Sequence, residues 1–336
     1  MVEARVVGER ARISAPPNPW VGALVVRDGV VVATGATEPI GGRHAERVAL
    51  DGLDEVTERD VLFVTLEPCA HHGRTGPCTE AIIARGIRTV KVGIIDPDPK
   101  VQGRGIIALR DAGIDVTVGV NDRDVAGSLA PYLTHRLTGL PWVTLKLGLT
   151  VDGKIAASDR TSSWITGEAS RRKVHELREA HQAILVGSGT VRSDDPSLTA
   201  RYSDGTLRQR QPMRIVLGDI PANAAVLPAR SHFGDLRSLL IELGAENVTS
   251  VLVEGGSEVA GSIHDEALVD EYHLFMAPAI MGKSGVASIG GKGTRTMSDL
   301  WRGEFRSVAP LEGDLEIVLW GSKPNRLVSG HVARSR

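Results

Sequence analysis

Apolar and polar positions along this chain fall into two successive alternations of short strands and helices. Val21–Arg27 reads as a strand, Asp28-Gly29 as a hairpin turn and Val30–Thr34 as the returning strand. His44–Gly52 carries helix formers. Val61–Leu66 is a continuous apolar run of the buried-strand kind, and Thr79–Arg85 is a second helix. Val90–Ile95 and Asp115–Val118 add strands, and Gly105–Ala112 and Asn121–Tyr132 add helices. Gly139-Leu140-Pro141 then breaks the pattern. It restarts with a strand at Trp142–Leu147, a helix at Ser170–Arg178 and two further strand-to-helix units, beginning at Ala183 and Val251. Strands alternating with helices predict a mostly parallel sheet covered by helices, hence the α/β class. The break predicts two domains, 1–140 and 141–322, followed by a flexible tail over 323–336.

The chemistry concentrates in the first alternation. His44-Ala45-Glu46 opens a predicted helix, and Cys69 follows the Val61–Leu66 strand at Pro68-Cys69. Cys78 begins the next helix at Pro77-Cys78. One histidine and two cysteines supply three ligands to a tetrahedral zinc and leave the fourth position for water, which is the pattern of a catalytic site. Bound water of this kind has a pKa of roughly 7, and Glu46, outside the ligand set, is free to move its protons. His-x-Glu alone is common, and two cysteines alone are equally a disulfide or inert core residues. The ordered combination is what points to zinc, and its layout is that of the zinc base deaminases. Those enzymes usually place two residues between the cysteines. Here the loop is Ala70–Pro77, rich in His, Gly, Arg and Thr, a composition that suits a phosphate or sugar contact.

Composition narrows the class. The 336 residues suffice for two domains with substantial cores. A formal net charge of -2 gives no basic excess for nucleic acid, and aromatics at 4% are too sparse for base-stacking platforms. Both cysteines belong to the proposed site, so no disulfide framework exists and a reducing, cytoplasmic compartment is expected. No apolar run reaches membrane-spanning length, and the start Met1–Arg5 is charged and lacks the apolar segment expected of a secretory signal.

The second alternation carries two glycine turns. Ala183–Val186 runs into Gly187-Ser188-Gly189-Thr190, and Val251–Glu254 into Gly255-Gly256-Ser257, each leading to a helix. Such turns let backbone N–H groups approach a phosphate at a helix N-terminus. Neither is a full dinucleotide fingerprint, and each alone is equally an ordinary strand-to-helix turn.

Taken together these motifs resemble the family of bifunctional riboflavin-biosynthesis deaminase–reductases, RibD or RibG, along roughly residues 14–322. The matching pieces include Pro17-Asn18-Pro19, His44-Ala45-Glu46, Leu66–Cys78, Asp96-Pro97 through Gly103-Arg104-Gly105, Leu145–Lys154, Ser162–Thr166, Ala183–Arg201 and Val253–Ala260. The resemblance implies a cytidine-deaminase-like N-terminal domain, a mixed sheet sandwiched by helices, joined to a dihydrofolate-reductase-like C-terminal domain. It implies zinc and NADPH as cofactors and a phosphoribosylated diaminopyrimidinone as substrate. Asn18, His71, His72, Arg74 and Thr75 look like substrate contacts of the deaminase. In the reductase, Ser162, Arg178, Leu198, Arg201 and Glu254 look like substrate contacts, with Arg178 and Arg201 suited to the ribose phosphate. Trp164, Thr190, Asp194, Gly256 and Ser257 look like NADPH contacts. Lys154 and Glu254 are expected as a polar pair near the sugar carbon that receives hydride. Around the metal motif the chain departs from the family pattern at Ala36-Thr37, Arg43 and Asp98.

The expected partners are the phosphoribosylated pyrimidine and further copies of the chain, as a dimer or tetramer, with no nucleic acid and no membrane. The alternative reading is a related zinc nucleobase deaminase fused to a pterin-type reductase with a different pyrimidine substrate. An editor of nucleic-acid bases and a purely structural zinc module are the remaining rivals. The charge balance and the attached second half disfavour the first, and Glu46 disfavours the second.

Overall fold

The computed structural model describes residues 1–72, 76–159, 161, 165–322 and 330–332. They form two compact units. The first comprises Met1–Gly139 with the described C-terminal residues 330–332, and the second residues 140–322.

In the first unit the elements are α1 (Val2–Glu9), β1 (Gly22–Arg27), β2 (Val30–Ala36), α2 (Ala45–Asp51), β3 (Asp60–Leu66), α3 (Cys78–Arg85), β4 (Thr89–Ile94), α4 (Arg104–Asp111), β5 (Asp115–Val118), α5 (Asp122–Ser128) and α6 (Ala130–Thr138). The sheet order is β2-β1-β3-β4-β5. The β1 strand pairs antiparallel with both β2 and β3, and β3, β4 and β5 are parallel. The sheet is therefore mixed, because the hairpin at Asp28-Gly29 reverses the chain before the crossover connections begin. Two glycines set the layers. A Cβ on Gly22 would lie 1.8 Å from the Ala4 carbonyl oxygen, and one on Gly35 would lie 2.1 Å from that of Ala45. Ala23 pairs with Gly35, so Gly22 and Gly35 point to opposite faces, and α1 and α2 cover one face each. The single helix expected over Asn121–Tyr132 is two helices, with Pro131 in the first turn of the second, where its missing N–H costs no bond.

The second unit contains β6 (Trp142–Thr150), β7 (Lys154–Ala156), α7 (Glu168–Ala180), β8 (Ala183–Gly187), α8 (Ser188–Asp194), β9 (Met213–Leu217), β10 (Arg230–His232), α9 (Leu236–Ala245), β11 (Ser250–Val253), α10 (Ser257–Asp265), β12 (Glu271–Ala277), β13 (Val286–Ala287), β14 (Gly303–Leu311) and β15 (Asp314–Gly321). Its main sheet has the order β10-β9-β8-β11-β6-β12-β15-β14. It is parallel from β10 to β12, and β15 and β14 add antiparallel at one edge. Alternate residues feed two cores. Val143, Leu145, Val251, Val253 and Leu185 pack with α9 and α10. Ile184, Val186, Val216 and Leu252 pack with Val191 of α8 and Leu177 of α7. Strands buried on both faces explain the unbroken apolar runs in the sequence.

The tail expected over 323–336 is described only at 330–332. There it is helical and packed: His331 and Val332 are 4% and 5% exposed. Among the described residues no helix is long and apolar enough to cross a membrane.

Candidate functional site

In the first unit β3 and α3 present the two cysteines, and α2 presents the histidine. His44 is the N-cap of α2, in extended conformation, and Cys78 is the first residue of α3. His44 Nδ1 lies 3.6 Å from Cys69 Sγ and 3.3 Å from Cys78 Sγ. The three ligand atoms all lie within 4.8 Å of one another. An imidazole nitrogen and a thiolate sharing one tetrahedral zinc are separated by about 3.6 Å, given the usual bond lengths. The donor set and its spacing therefore fit zinc.

Charge distribution supports the same reading. The backbone N–H of Cys78 donates to Cys69 Sγ at 3.4 Å. The hydrogen bond from the Cys78 side chain draws the Cys69 thiol down to about 4, against its burial and with help from His44. The same bond, together with burial, pushes Cys78 up. The site thus favours the thiolate at Cys69, the form in which a cysteine ligates a metal. Glu46 is 3% exposed, and burial lifts its carboxyl to about 7 against the pull of His44. A carboxyl that exchanges its proton near neutrality is what general acid–base work requires.

Behind the ligands the loop after β4 forms a second layer. Val101 packs on Cys69 and Cys78. Glu67, two residues before Cys69, accepts four backbone N–H groups: Asp96 at 3.2 Å, Gly103 at 2.9 Å, Gly105 at 2.9 Å and Ile106 at 3.3 Å. A Cβ on Gly105 would lie 1.8 Å from the Pro68 carbonyl oxygen, so only glycine lets this loop seat against the ligand loop. Of the expected deaminase contacts, Asn18 is half-buried and His71 and His72 are exposed. His72 Nε2 lies 3.3 Å from Glu80. Arg74 and Thr75 lie outside the described residues.

In the second unit the parallel strands β8 and β11 are neighbours, and both glycine turns leave from their C-terminal ends. A Cβ on Gly187 or Gly255 would lie 2.9 or 2.6 Å from the Val259 side chain, which explains these glycines by packing. Gly189 and Gly256 differ. A Cβ on the first meets nothing within 4 Å, and one on the second meets only Thr190 Oγ1 at 3.7 Å. Gly189 and Gly256 thus leave an open cradle at the starts of α8 and α10, the kind of place where helix N–H groups meet phosphates. Asp194, at the end of α8, is exposed. Trp164 and Ser162 lie outside the described residues.

Beside the cradle, on the α7 face of the sheet, lies a buried ion network. Arg178 Nε and Nη2 donate to the two Glu254 oxygens at 2.7 and 3.0 Å, and its Nη1 donates to the Thr199 carbonyl at 3.1 Å. Lys146 Nζ lies 3.0 Å from Glu254. Burial pushes the Glu254 carboxyl up, but Arg178 and Lys146 outweigh it and hold the group well below the usual carboxylate range.

This corrects the pairing expected from the sequence. Glu254 is joined to Lys146 and Arg178, not to Lys154. Val253 of β11 is in register with Leu145 of β6, so the next residue along each strand meets the other. Lys154 lies past the turn at Val151–Gly153, on β7, where its stem packs at the position a Gly285 Cβ would occupy. Arg178, expected on the phosphate, has three nitrogens engaged inside the protein. Lys146 was missed, although a lysine in the apolar run Trp142–Leu149 was a legible signal. Arg201 is half-buried and donates to Thr199 Oγ1 and to the Gly205 carbonyl. Leu198, 3% exposed, holds a left-handed φ of +51° in the segment leading to it. Strain of that kind in a non-glycine residue persists only where the surroundings enforce it.

Comparison with known proteins places both units in one lineage. Residues 1–94 match the family described as the cytidine and deoxycytidylate deaminase zinc-binding region. Residues 141–314 match the RibD C-terminal domain. The riboflavin biosynthesis protein RibD of Corynebacterium ammoniagenes is 43% identical over 289 residues, covering 83% of this chain and 85% of the relative. The RibD structure of Acinetobacter baumannii superposes with a TM-score of 0.87 at 31% identity, covering 96% of this chain and 97% of that one. The diaminohydroxyphosphoribosylaminopyrimidine deaminase/5-amino-6-(5-phosphoribosylamino)uracil reductase of Thermotoga maritima does so with a TM-score of 0.84 at 34% identity and the same coverage. The chain belongs to the RibD family of riboflavin-biosynthesis enzymes, a zinc-dependent deaminase joined to an NADPH-dependent reductase.

Proposed function

We propose that residues 1–140 deaminate 2,5-diamino-6-ribosylamino-4-pyrimidinone 5'-phosphate. Residues 141–322 then reduce the ribosyl side chain of the product, 5-amino-6-(5-phosphoribosylamino)uracil, to ribityl. The observation that carries the reading is the convergence of His44, Cys69 and Cys78 beside the buried carboxyl of Glu46. Bound there, zinc would supply a water acidified to a pKa of about 7. Deamination replaces a ring C–NH2 by C=O, consuming one water and releasing ammonia. Two protons must move from water oxygen to nitrogen, and Glu46 is the group placed to carry them. His71, His72 and Asn18 are assigned to the substrate, as are Arg74 and Thr75.

In the reductase, Thr190, Gly256 and Ser257 would hold the NADPH phosphates through backbone N–H groups, with Asp194 and Trp164 as further contacts. NADPH supplies the hydride. Glu254, fixed as a carboxylate by Lys146 and Arg178, orients the sugar hydroxyls by accepting their protons in hydrogen bonds. Lys146 is the cation within the network that can answer negative charge developing on the sugar oxygen. Arg201 is assigned to the phosphate, with Ser162 and Leu198 shaping the pocket. Lys154 has no partner role in this arrangement.

Metal analysis coupled to NADPH oxidation tests the whole. The purified chain should carry one zinc and release ammonia from the diaminopyrimidinone phosphate. It should oxidise NADPH only once that substrate, or its deaminated product, is present. Turnover of dihydrofolate with no response to the pyrimidine phosphate would favour the pterin-type alternative instead.

A further inference from the structure

Residues 330–332 return to the first unit. His331 is 4% exposed, and its Nε2–H donates to the Ile95 carbonyl oxygen at 2.7 Å, across 236 positions of sequence. Val332 beside it is buried too. Ile95 is where β4 ends and the loop to α4 begins, and that loop is tied to the metal site in two ways. Val101 packs directly on Cys69 and Cys78. Asp96, Gly103 and Gly105 give their N–H groups to Glu67, two residues ahead of Cys69. His331 also helps line a cavity of about 310 Å³ with Asp96, Gln102, Gly103 and Leu137 of α6. Asp96 itself is fixed by the Tyr132 hydroxyl, which donates to both carboxylate oxygens at 3.0 and 3.1 Å.

We propose that the C-terminal residues of this chain serve the deaminase although they follow the reductase in sequence. His331 is a positioning residue that anchors the loop from Ile95 to Gly103 with the start of α4 and, through Val101 and Glu67, the sulfurs of Cys69 and Cys78. The physical basis is loop entropy. A loop between a strand and a helix retains freedom unless its free carbonyls are engaged, and displacing a reacting group by about 1 Å costs on the order of 100-fold in rate. This rests on the deaminase reading above.

The test uses the full-length protein and its His331→Ala and His331→Gln variants. Amide hydrogen exchange over residues 95–106 is the readout independent of turnover. In His331→Ala the amides of Asp96, Gly103 and Gly105 should exchange faster, and kcat for ammonia release should fall about 10- to 100-fold with KM and zinc content kept. NADPH oxidation on the deaminated intermediate should stay within about twofold, since the hydrogen bond of His331 is made within the first unit. Gln carries a donor of similar reach, and His331→Gln should recover slow exchange and most of the rate. Wild-type exchange and deamination in His331→Ala would overturn the proposal. So would a variant that loses zinc, both activities and thermal stability together, since that describes a merely structural residue. A wild-type protein that holds zinc yet releases no ammonia sinks the deaminase reading instead. In that case the exchange comparison alone decides whether His331 anchors the loop.

Discussion

Two carboxylates show how environment sets role at the residue scale. Glu46 and Glu254 are both buried, yet burial dominates at the first and two cations dominate at the second. One therefore exchanges a proton near neutrality, and the other stays ionised. Replacing Glu46 with Ala should leave zinc bound and lower ammonia release by about 100- to 10,000-fold, the usual cost of removing a proton shuttle. Near-normal release from that variant would refute the assignment. Arg201 makes a different kind of claim. Its guanidinium has backbone and hydroxyl partners and, among the described residues, no ion pair is recorded for it. Arg201→Ala should raise KM for the phosphorylated reductase substrate far more than for a dephosphorylated analogue, and equal effects on the two would end the phosphate role.

At the scale of elements, register decides the chemistry. The β6–β11 pairing brings Lys146 to Glu254, and α7 lies on the same face to deliver Arg178. At the antiparallel edge, β12 and β15 bring His273 between Glu271 and Glu316, at 3.4 and 2.8 Å. Burial lowers the pKa of this imidazole, but the two carboxylates outweigh it and the net shift is upward. A histidine raised in the folded state stabilises fully below its unfolded pKa of about 6.5, and that contribution fades as pH rises through the folded value. The melting temperature of the wild type, minus that of His273→Gln, should therefore be largest near pH 5–6 and shrink toward pH 9. A difference that is flat or grows with pH would contradict it.

Considering the whole molecule, every strand of the reductase sheet and the buried residues of both its apolar cores lie within residues 142–321, with Leu140 packing from just outside. About 180 residues are enough for an independent core. A fragment of residues 142–322 should unfold cooperatively and oxidise NADPH with the deaminated intermediate. Cooperative unfolding without that activity would mean the reductase site borrows residues from elsewhere in the assembly. The corresponding fragment of the first unit is a different case, because His331 and Val332 lie outside residues 1–140.

Short-range pattern alone specified much of this protein. The residues of the His44–Cys69–Cys78 cluster, the two glycine turns and the elements flanking them were legible because each depends on residues a few positions apart: a cysteine at a strand end, a histidine before a helix, glycines where the backbone must stay open. Tertiary structure alone decided which charges meet. Lys146, Arg178 and Glu254 are brought together by strand register and helix placement, whereas Lys154, the partner the sequence offered, lies past the turn on β7. The same holds for Glu67, whose four N–H partners come from the β4–α4 loop and the first turn of α4, 29 to 39 residues away. It holds too for His331, read as part of a flexible tail because nothing local marks a histidine that will donate to a carbonyl 236 residues earlier. Local physics fixes which groups a chain carries and how each segment folds, while the pairing of distant groups follows from how the sheets and helices pack.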